Sequence, residues 1–437
     1  MITSFRGLLV VCLSGLVAQA SSQPSLKAKI DNLARAIEPK VIEWRRHFHQ
    51  YPELSNREFK TAEKIAAHLK SLGLEVQTGV AHTGVVGLLK GGRPGPVIAL
   101  RADMDALPVT ERVDLPFASK ERSTYNGQEV GVMHACGHDT HMAILMGAAE
   151  VLAAVRNELR GSVKFIFQPA EEGAPEGEEG GAELMVKQGV LENPRVDVIF
   201  GLHINAQQEV NTIEYRPRGT YAASDRFRIV VKGRQTHGAY PAGGIDPIVV
   251  ASQIVMGLQT IVSRQVDLTQ APVVISVGSI RGGVRNNIIP EEVELVGTIR
   301  TLDTTMQRAV HEKIRRTATS IAESAGARAE VHIVIGYPVT YNDPALTEMM
   351  LPTLQTVAGK ENVRLREPQM GAEDFSFFAQ KVPGLYFNLG GRPKQKKPEE
   401  TAPHHTPDFF IDESGFTLGV RAFCYLVLDY SSVNPKR

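Results

Sequence analysis

The chain has 437 residues, more than one hydrophobic core usually organises, so two domains are expected. Its 48 basic and 48 acidic residues cancel, and 43% hydrophobic with 22% charged content suits a globular fold. That balance offers nothing to draw the chain to nucleic acid or to an anionic membrane.

The first 20 residues read as a leader. Arg6 supplies a positive start, residues 7–17 a short apolar stretch, and Ala18-Gln19-Ala20 a small-residue cleavage site before Ser21. The expected mature protein is therefore secreted or periplasmic. No later segment shows the unbroken apolar length of a transmembrane helix. Loss of the leader leaves only Cys136 and Cys424, too few for a disulfide scaffold. Cys424 lies in the apolar run 422–428 and reads as core.

Downstream, a helix begins near Leu26, and residues 44–55 are dense in His and Arg without a catalytic pattern. Residues 58–72 form an amphipathic helix stopped by Gly73. Apolar runs at 85–89, 97–100, 163–167 and 196–200 read as strands, with helical patterns at 142–156 and 182–190. This alternation predicts an α/β fold with a mostly parallel sheet. Three of these strands deliver Asp103, the pair Glu171-Glu172 and His203 to their carboxyl ends, the edge where such sheets bind ligands. The Glu/Gly-rich segment 173–181 reads as a solvated loop.

Residues 133–141, Met-His-Ala-Cys-Gly-His-Asp-Thr-His, place a thiol, three imidazoles and a carboxylate together ahead of an apolar helix. With Asp139 or Thr140 as N-cap, Cys136 and His138 would sit just before a helix N-terminus, whose partial positive charge favours thiolate. Sulfur and imidazole on a Gly-hinged turn suit a divalent ion of the zinc kind. Adjacent glutamates on a tight loop can divide the tasks of metal ligand and general base, and sequence alone does not say which does which. Asp103 either orients a ligand imidazole or holds the turn.

From residue 219 the pattern becomes β-α-β-β-α-β, the ferredoxin-like order. It is expected as an insertion, 219–337, between catalytic segments 21–218 and 338–437, because the α/β character resumes and His404-His405 lies near the C-terminus.

These residues resemble the metallo-aminoacylase/carboxypeptidase family, in the branch of hippurate hydrolases, indole-acetyl-amino-acid hydrolases and N-acetyl-diaminopimelate deacetylases. The matching stretches run from residue 101 (Arg-Ala-Asp-Met-Asp-Ala-Leu-Pro) through 133–141, Gln168–Glu172 and Gly201–His203. They continue with His237-Gly-Ala-Tyr-Pro, Asn287-Ile-Ile-Pro, Gly371-Ala-Glu-Asp-Phe and His405-Thr-Pro. The resemblance implies a two-metal catalytic domain with an inserted lid that pairs subunits into a homodimer. It implies Cys136, His138, Glu172, His203 and His405 as ligands, with Cys136 bridging two divalent ions, and Glu171 as base. The ions implied are zinc or manganese, with cobalt also admitted. His237 is similar to a histidine that steadies the oxyanion in the neighbouring subunit's site. Asn287 and Arg300 resemble residues that hold the substrate's free carboxylate. Ala242 stands where relatives often carry a second histidine, which alters a wall of the pocket. The implied activity is hydrolysis of N-acyl-amino acids or amino-acid conjugates; the alternatives are a carboxypeptidase or dipeptidase, and a non-catalytic metal-binding dimer.

Overall fold

A computed structural model describes residues 25–434, so the predicted leader lies outside the described residues. The helices in chain order are α1 (Leu26–Gln50), α2 (Phe59–Ser71), α3 (His138–Ala154), α4 (Gly181–Lys187), α5 (Pro247–Arg264), α6 (Thr304–Ser324), α7 (Pro344–Ala358), α8 (Phe375–Ala379) and α9 (Phe416–Val433). An eight-stranded sheet carries the site. Its strands are β1 (Glu75–Val80), β2 (Gly84–Lys90), β3 (Arg93–Asp103), β4 (Arg160–Gln168), β5 (Val198–Glu209), β6 (Ile213–Tyr215), β7 (Val363–Leu365) and β8 (Gly384–Arg392). The spatial order is β1-β2-β4-β3-β5-β8-β6-β7. The central strands β4, β3, β5 and β8 run parallel, and β1–β2 add antiparallel pairings at one edge.

The two faces of this sheet separate by the period of two that a strand imposes. Ile98, Leu100, Phe165, Phe167, Val198 and Phe200 point to one face, where α1, α2, α3, α7 and α9 close the larger core. Ala99, Ile166 and Ile199 point to the other, under α4 and α8. Burial on both faces explains why these strands read as continuous apolar runs. Cys424 is buried in α9 and unbridged, as is Cys136.

A second, antiparallel sheet is built from Ala223–Lys232, Val273–Gly282, Glu292–Thr301 and Arg328–Tyr337, with the third strand beside both the second and the first. Helices α5 and α6 cover one of its faces through Val250, Ile254, Leu258, Val310 and Ile314. The β-α-β-β-α-β order is therefore observed. By length and composition α5 is apolar enough to cross a membrane, although Ser252, Gln253, Gln259 and Thr260 break its apolar run. Its apolar surplus is divided, with Ile254 and Leu258 in the core and Ile248, Val249 and Met256 exposed. Arg218–Tyr221 pairs antiparallel with Thr340–Asn342, so the chain leaves for this sheet and returns from it side by side.

Candidate metal centre and catalytic site

Three chain segments converge beyond the carboxyl ends of the parallel strands. The first is the turn into α3. Gly137 occupies the N-cap with φ 93°, and the helix begins at His138. A Cβ at residue 137 would lie 2.3 Å from Cγ2 of Ile204, so only glycine gives this turn both its backbone and its space. The expected cap at Asp139 or Thr140 is thus displaced. Asp139 instead pairs with Arg45 at 2.9 Å and His49 at 2.8 Å, both from α1. The second segment is the loop after β4, where Ala170 has φ 52° and swings Glu171 and Glu172 towards α3. The third is His405, itself at φ 63° and held by its N–H to the Ala135 carbonyl at 2.9 Å.

His203 does not follow the end of a strand as expected; it lies within β5. Pairing of β3 with β5 stops at Arg101–Gly201, so β5 projects past its neighbour and His203 faces the site from an open strand side.

Five predicted ligand side chains meet here. Cys136 Sγ lies 3.5 Å from His203 Nε2 and 3.3 Å from His405 Nε2. His405 Nε2 is 3.1 Å from a Glu172 oxygen. His138 Nε2 is 3.8 Å from Glu171 and 3.9 Å from Glu172. The sets Cys136–Glu172–His405 and His138–Glu171–Glu172 each gather their ligand atoms within 4.8 Å.

Hydrogen bonds sort ligands from neighbours. His138 Nδ1 donates to the Asp105 carbonyl at 2.8 Å and His203 Nδ1 to the Ile204 carbonyl at 2.5 Å. Each ring thereby turns an Nε2 lone pair into the site. His138 Nε2 is buried without any hydrogen-bond partner, the condition a cation would relieve. His141 and His404 have no such free nitrogen. His141 joins Asp103 and the Ile204 N–H, and His404 joins the Cys136 carbonyl and the Ala206 N–H. Of the adjacent pair, His405 brings Nε2 to 3.3 Å from the sulfur, while the His404 nitrogen that lies within 4.8 Å of it is already hydrogen-bonded.

Asp103 does not touch a ligand imidazole closely. Its oxygen lies 2.5 Å from His141 and 3.9 Å from His138, and its other oxygen accepts from Arg101 at 2.7 Å. The group that orients His138 is the Asp105 main chain. The Asp105 carboxylate accepts the N–H groups of Glu171 and Glu172 at 3.0 Å each. Arg101, fully buried, also pairs with Glu373 and Asp374 at 2.9 Å. Asp105, Arg101, Glu373 and Asp374 lie in stretches that match the family, yet the motifs carried no signal of their roles.

The electrostatics demand positive charge. Burial, then the Glu172 and Glu171 carboxylates, push the Cys136 thiol well above its ordinary range. The helix N-terminus is outweighed, and a thiolate here needs a cation beside it. Burial, then Glu373, Glu172 and Asp374, raise Glu171 well above the usual carboxylate range. Burial opposes protonation of His138, yet Asp103 and Asp105 draw it up to about 10, so a cation at Nε2 displaces a proton. Sulfur, imidazole and carboxylate donors around unsatisfied negative charge fit a pair of divalent ions.

The other predicted residues lie apart. The cavity bounded by Cys136, Glu171, His203 and His405, about 130 Å3, is walled by Tyr221, Tyr337 and Glu373 and by no side chain from 223–336. His237 and Asn287 are exposed, at a separate two-stranded pairing of Thr236–His237 with Ile288–Ile289, and the Asn287 carbonyl accepts from Gly238 at 2.8 Å. Arg300 is half-buried and lines a different cavity, of about 510 Å3, with Asp225.

Parallel strands that end in a dinuclear set of S, N and O donors, with a further carboxylate beside it, define a metal-dependent hydrolase of amide bonds. A family model described as "Peptidase family M20/M25/M40" matches residues 99–429, and the chain belongs to that family. It is 41% identical over 409 residues to thermostable carboxypeptidase 1 of Saccharolobus solfataricus, covering 93% of this chain and 99% of the relative. It is 42% identical over 316 residues to an N-acyl-L-amino acid amidohydrolase of Geobacillus stearothermophilus, covering 72% and 81%. Among solved structures, a Bacillus subtilis dinuclear metal-binding peptidase of the M20 family superposes with TM-score 0.76 at 35% identity, covering 91% of this chain and 99% of that one.

Proposed function

We propose that the chain is an exported amidohydrolase of N-acyl-amino acids or amino-acid conjugates. In this reading Cys136, His138, Glu172, His203 and His405 would hold two divalent ions, zinc or manganese, and Glu171 would be the general base. The observation that carries it is the division of the loop carboxylates. Glu172 stands 3.1 Å from His405, among the sulfur and imidazole donors. Glu171 is buried against Glu373 and Asp374, beside the ligands.

When bound, the two ions make a water acidic and polarise the scissile carbonyl. Glu171 accepts the proton as the C–O bond forms and passes it to the amine as the C–N bond breaks. The Asp105 carboxylate fixes the loop amides, and Tyr337 donates to the Glu171 carbonyl at 2.7 Å, so the carboxylate has little freedom to stray.

Asn287 and Arg300 are assigned to the substrate's carboxylate and His237 to the oxyanion. None of these three borders the cavity within one chain, which supports the reading that a second copy completes the site. The exposed Ile248, Val249, Met256, Val274 and Ile280 on α5 and the edge strand Val273–Gly282 offer an apolar surface for a homodimer. A second reading, release of C-terminal residues from short peptides, draws on the likeness to thermostable carboxypeptidase 1.

The test is a hydrolysis screen on metal-reconstituted protein with N-acetyl-, N-benzoyl- and indole-acetyl-amino acids beside dipeptides. Faster turnover of the N-acyl set is expected. Preference for dipeptides would install the second reading, and no turnover of either would overturn both. Export is tested by sequencing the N-terminus of the protein made in its own cells, expected to begin at Ser21.

A further inference from the structure

Residues 53–58 precede α2 and have no part in the chemistry above, yet their side chains point at the loop that carries it. Glu58 occupies the N-cap of α2 but makes no capping hydrogen bond. The free amides of that helix are taken by Glu53, which accepts from Lys60 at 3.2 Å and Thr61 at 2.9 Å. Glu58 is left for another use, and it is fully buried. One of its oxygens accepts the Ala170 N–H at 3.0 Å and the other the Thr83 hydroxyl at 2.5 Å. Ala170 is a non-glycine residue at φ 52°, a strained backbone state that persists only where the surroundings enforce it. Its neighbours brace the same loop. Ser55 donates to Asp105 at 2.8 Å, and Asn56 donates to the Glu179 carbonyl at 3.0 Å.

We infer that Glu58 is a positioning residue for catalysis, holding the left-handed turn at Ala170 that aims Glu171. A cap position surrendered by Glu58 and filled by Glu53 is the arrangement that such a role requires. Because Glu58 acts through hydrogen bonds of fixed reach, side-chain length matters to it more than charge. The inference rests on Glu171 as general base.

The experiment compares Glu58→Gln, Glu58→Asp and Thr83→Val with Glu171→Gln and wild type, all metal-loaded, using an N-acyl-amino acid that the screen identifies. Glu58→Gln keeps the length, its oxygen placed to accept the Ala170 N–H and its amide to donate to a Thr83 hydroxyl turned acceptor, and is expected to retain kcat within about threefold. Glu58→Asp keeps the carboxyl group but falls one methylene short, and kcat is expected to drop about 10- to 100-fold with KM within about threefold, in line with the sensitivity of catalysis to small misplacement. Thr83→Val removes one contact isosterically and should lower kcat in the same direction, carrying the test if Glu58→Asp does not fold. Wild-type kcat in both Glu58→Asp and Thr83→Val overturns the inference. So does a Glu58→Gln loss larger than that of Glu58→Asp, which would assign the effect to the carboxyl group and not to its reach. Full recovery of Glu58→Asp by excess metal ion also overturns it, since the effect would then lie in metal retention. An active Glu171→Gln protein would instead remove the base assignment itself.

Discussion

Glu171 and Glu172 are consecutive, yet their surroundings ask different things of them. Glu171 faces Glu373 and Asp374 in a buried acidic cluster, whereas Glu172 faces His405 and Cys136. Replacement by glutamine separates the two roles because it keeps shape while removing charge. Glu171→Gln is expected to retain metal while kcat falls about 100- to 10,000-fold, the usual worth of general-base assistance. Glu172→Gln is expected to lose affinity for at least one ion and to recover part of its activity when metal is added. Metal analysis and turnover on the two purified variants decide the matter, and the opposite pattern would exchange the roles.

Among the elements, α3 depends most on its first residues. Gly137→Ala would force a side chain into left-handed backbone and against Ile204, costing upwards of about 1 kcal/mol. The expected result is a lower melting temperature together with reduced metal content. A wild-type melting curve would show that the turn yields more easily than its contacts imply.

The strut from α1 to α3 gives a pH-dependent case. Burial and Arg45 lower the proton affinity of His49, but Asp139 and Glu111 prevail and raise it. A raised histidine contributes stability that is complete below its unfolded value of about 6.5 and lost as pH climbs through the higher folded value. For Asp139, burial pushes upward but Arg45 and His49 prevail, holding it below the ordinary carboxylate range. Its contribution is complete above about 3.9 and lost only in stronger acid. His49→Gln should therefore cost most near pH 5 to 6, on the order of 3 kcal/mol for a broken buried pair. The difference from wild type should narrow towards pH 9, as read from thermal unfolding at both ends. A difference independent of pH would leave packing as the whole of His49's contribution.

Much of this architecture was legible as pattern. Unbroken apolar runs announce strands buried on both faces, and the switch near residue 219 announces a second sheet. The adjacency of Cys136 and His138, and the carboxylates after strands, point to the metal donors because those residue types seldom gather by chance. What stayed hidden depends on long-range pairing. Nothing local reveals that Asp139 is drawn away from capping by Arg45, that Asp103 serves His141, or that Glu58 yields its cap to Glu53. The reach of β5 beyond β3, which exposes His203, is a property of register between strands about 100 positions apart in sequence.

At the scale of the whole molecule, one chain gathers the proposed donors and the proposed base but keeps His237 and Asn287 exposed. Gly219 pairs with Tyr341 where the chain leaves for the four-stranded sheet and returns from it, and Tyr337 at that sheet's last strand end reaches the Glu171 carbonyl. If His237 serves a neighbour's site, each active centre draws on two chains, and two inactive variants can repair each other. Homodimers of Glu171→Gln lack the base in both sites, and homodimers of His237→Ala lack the imidazole in both. In a mixed dimer, one site combines both lesions while the other keeps an intact Glu171 and receives an intact His237. Equal mixing by random exchange makes about half of all dimers mixed, each with one working site, so activity should recover to about one quarter of wild type. Subunit exchange is verified with differently tagged chains. No recovery in an exchanged sample would mean that His237 acts within its own chain, and a His237→Ala protein active before mixing would mean that it has no part in the reaction.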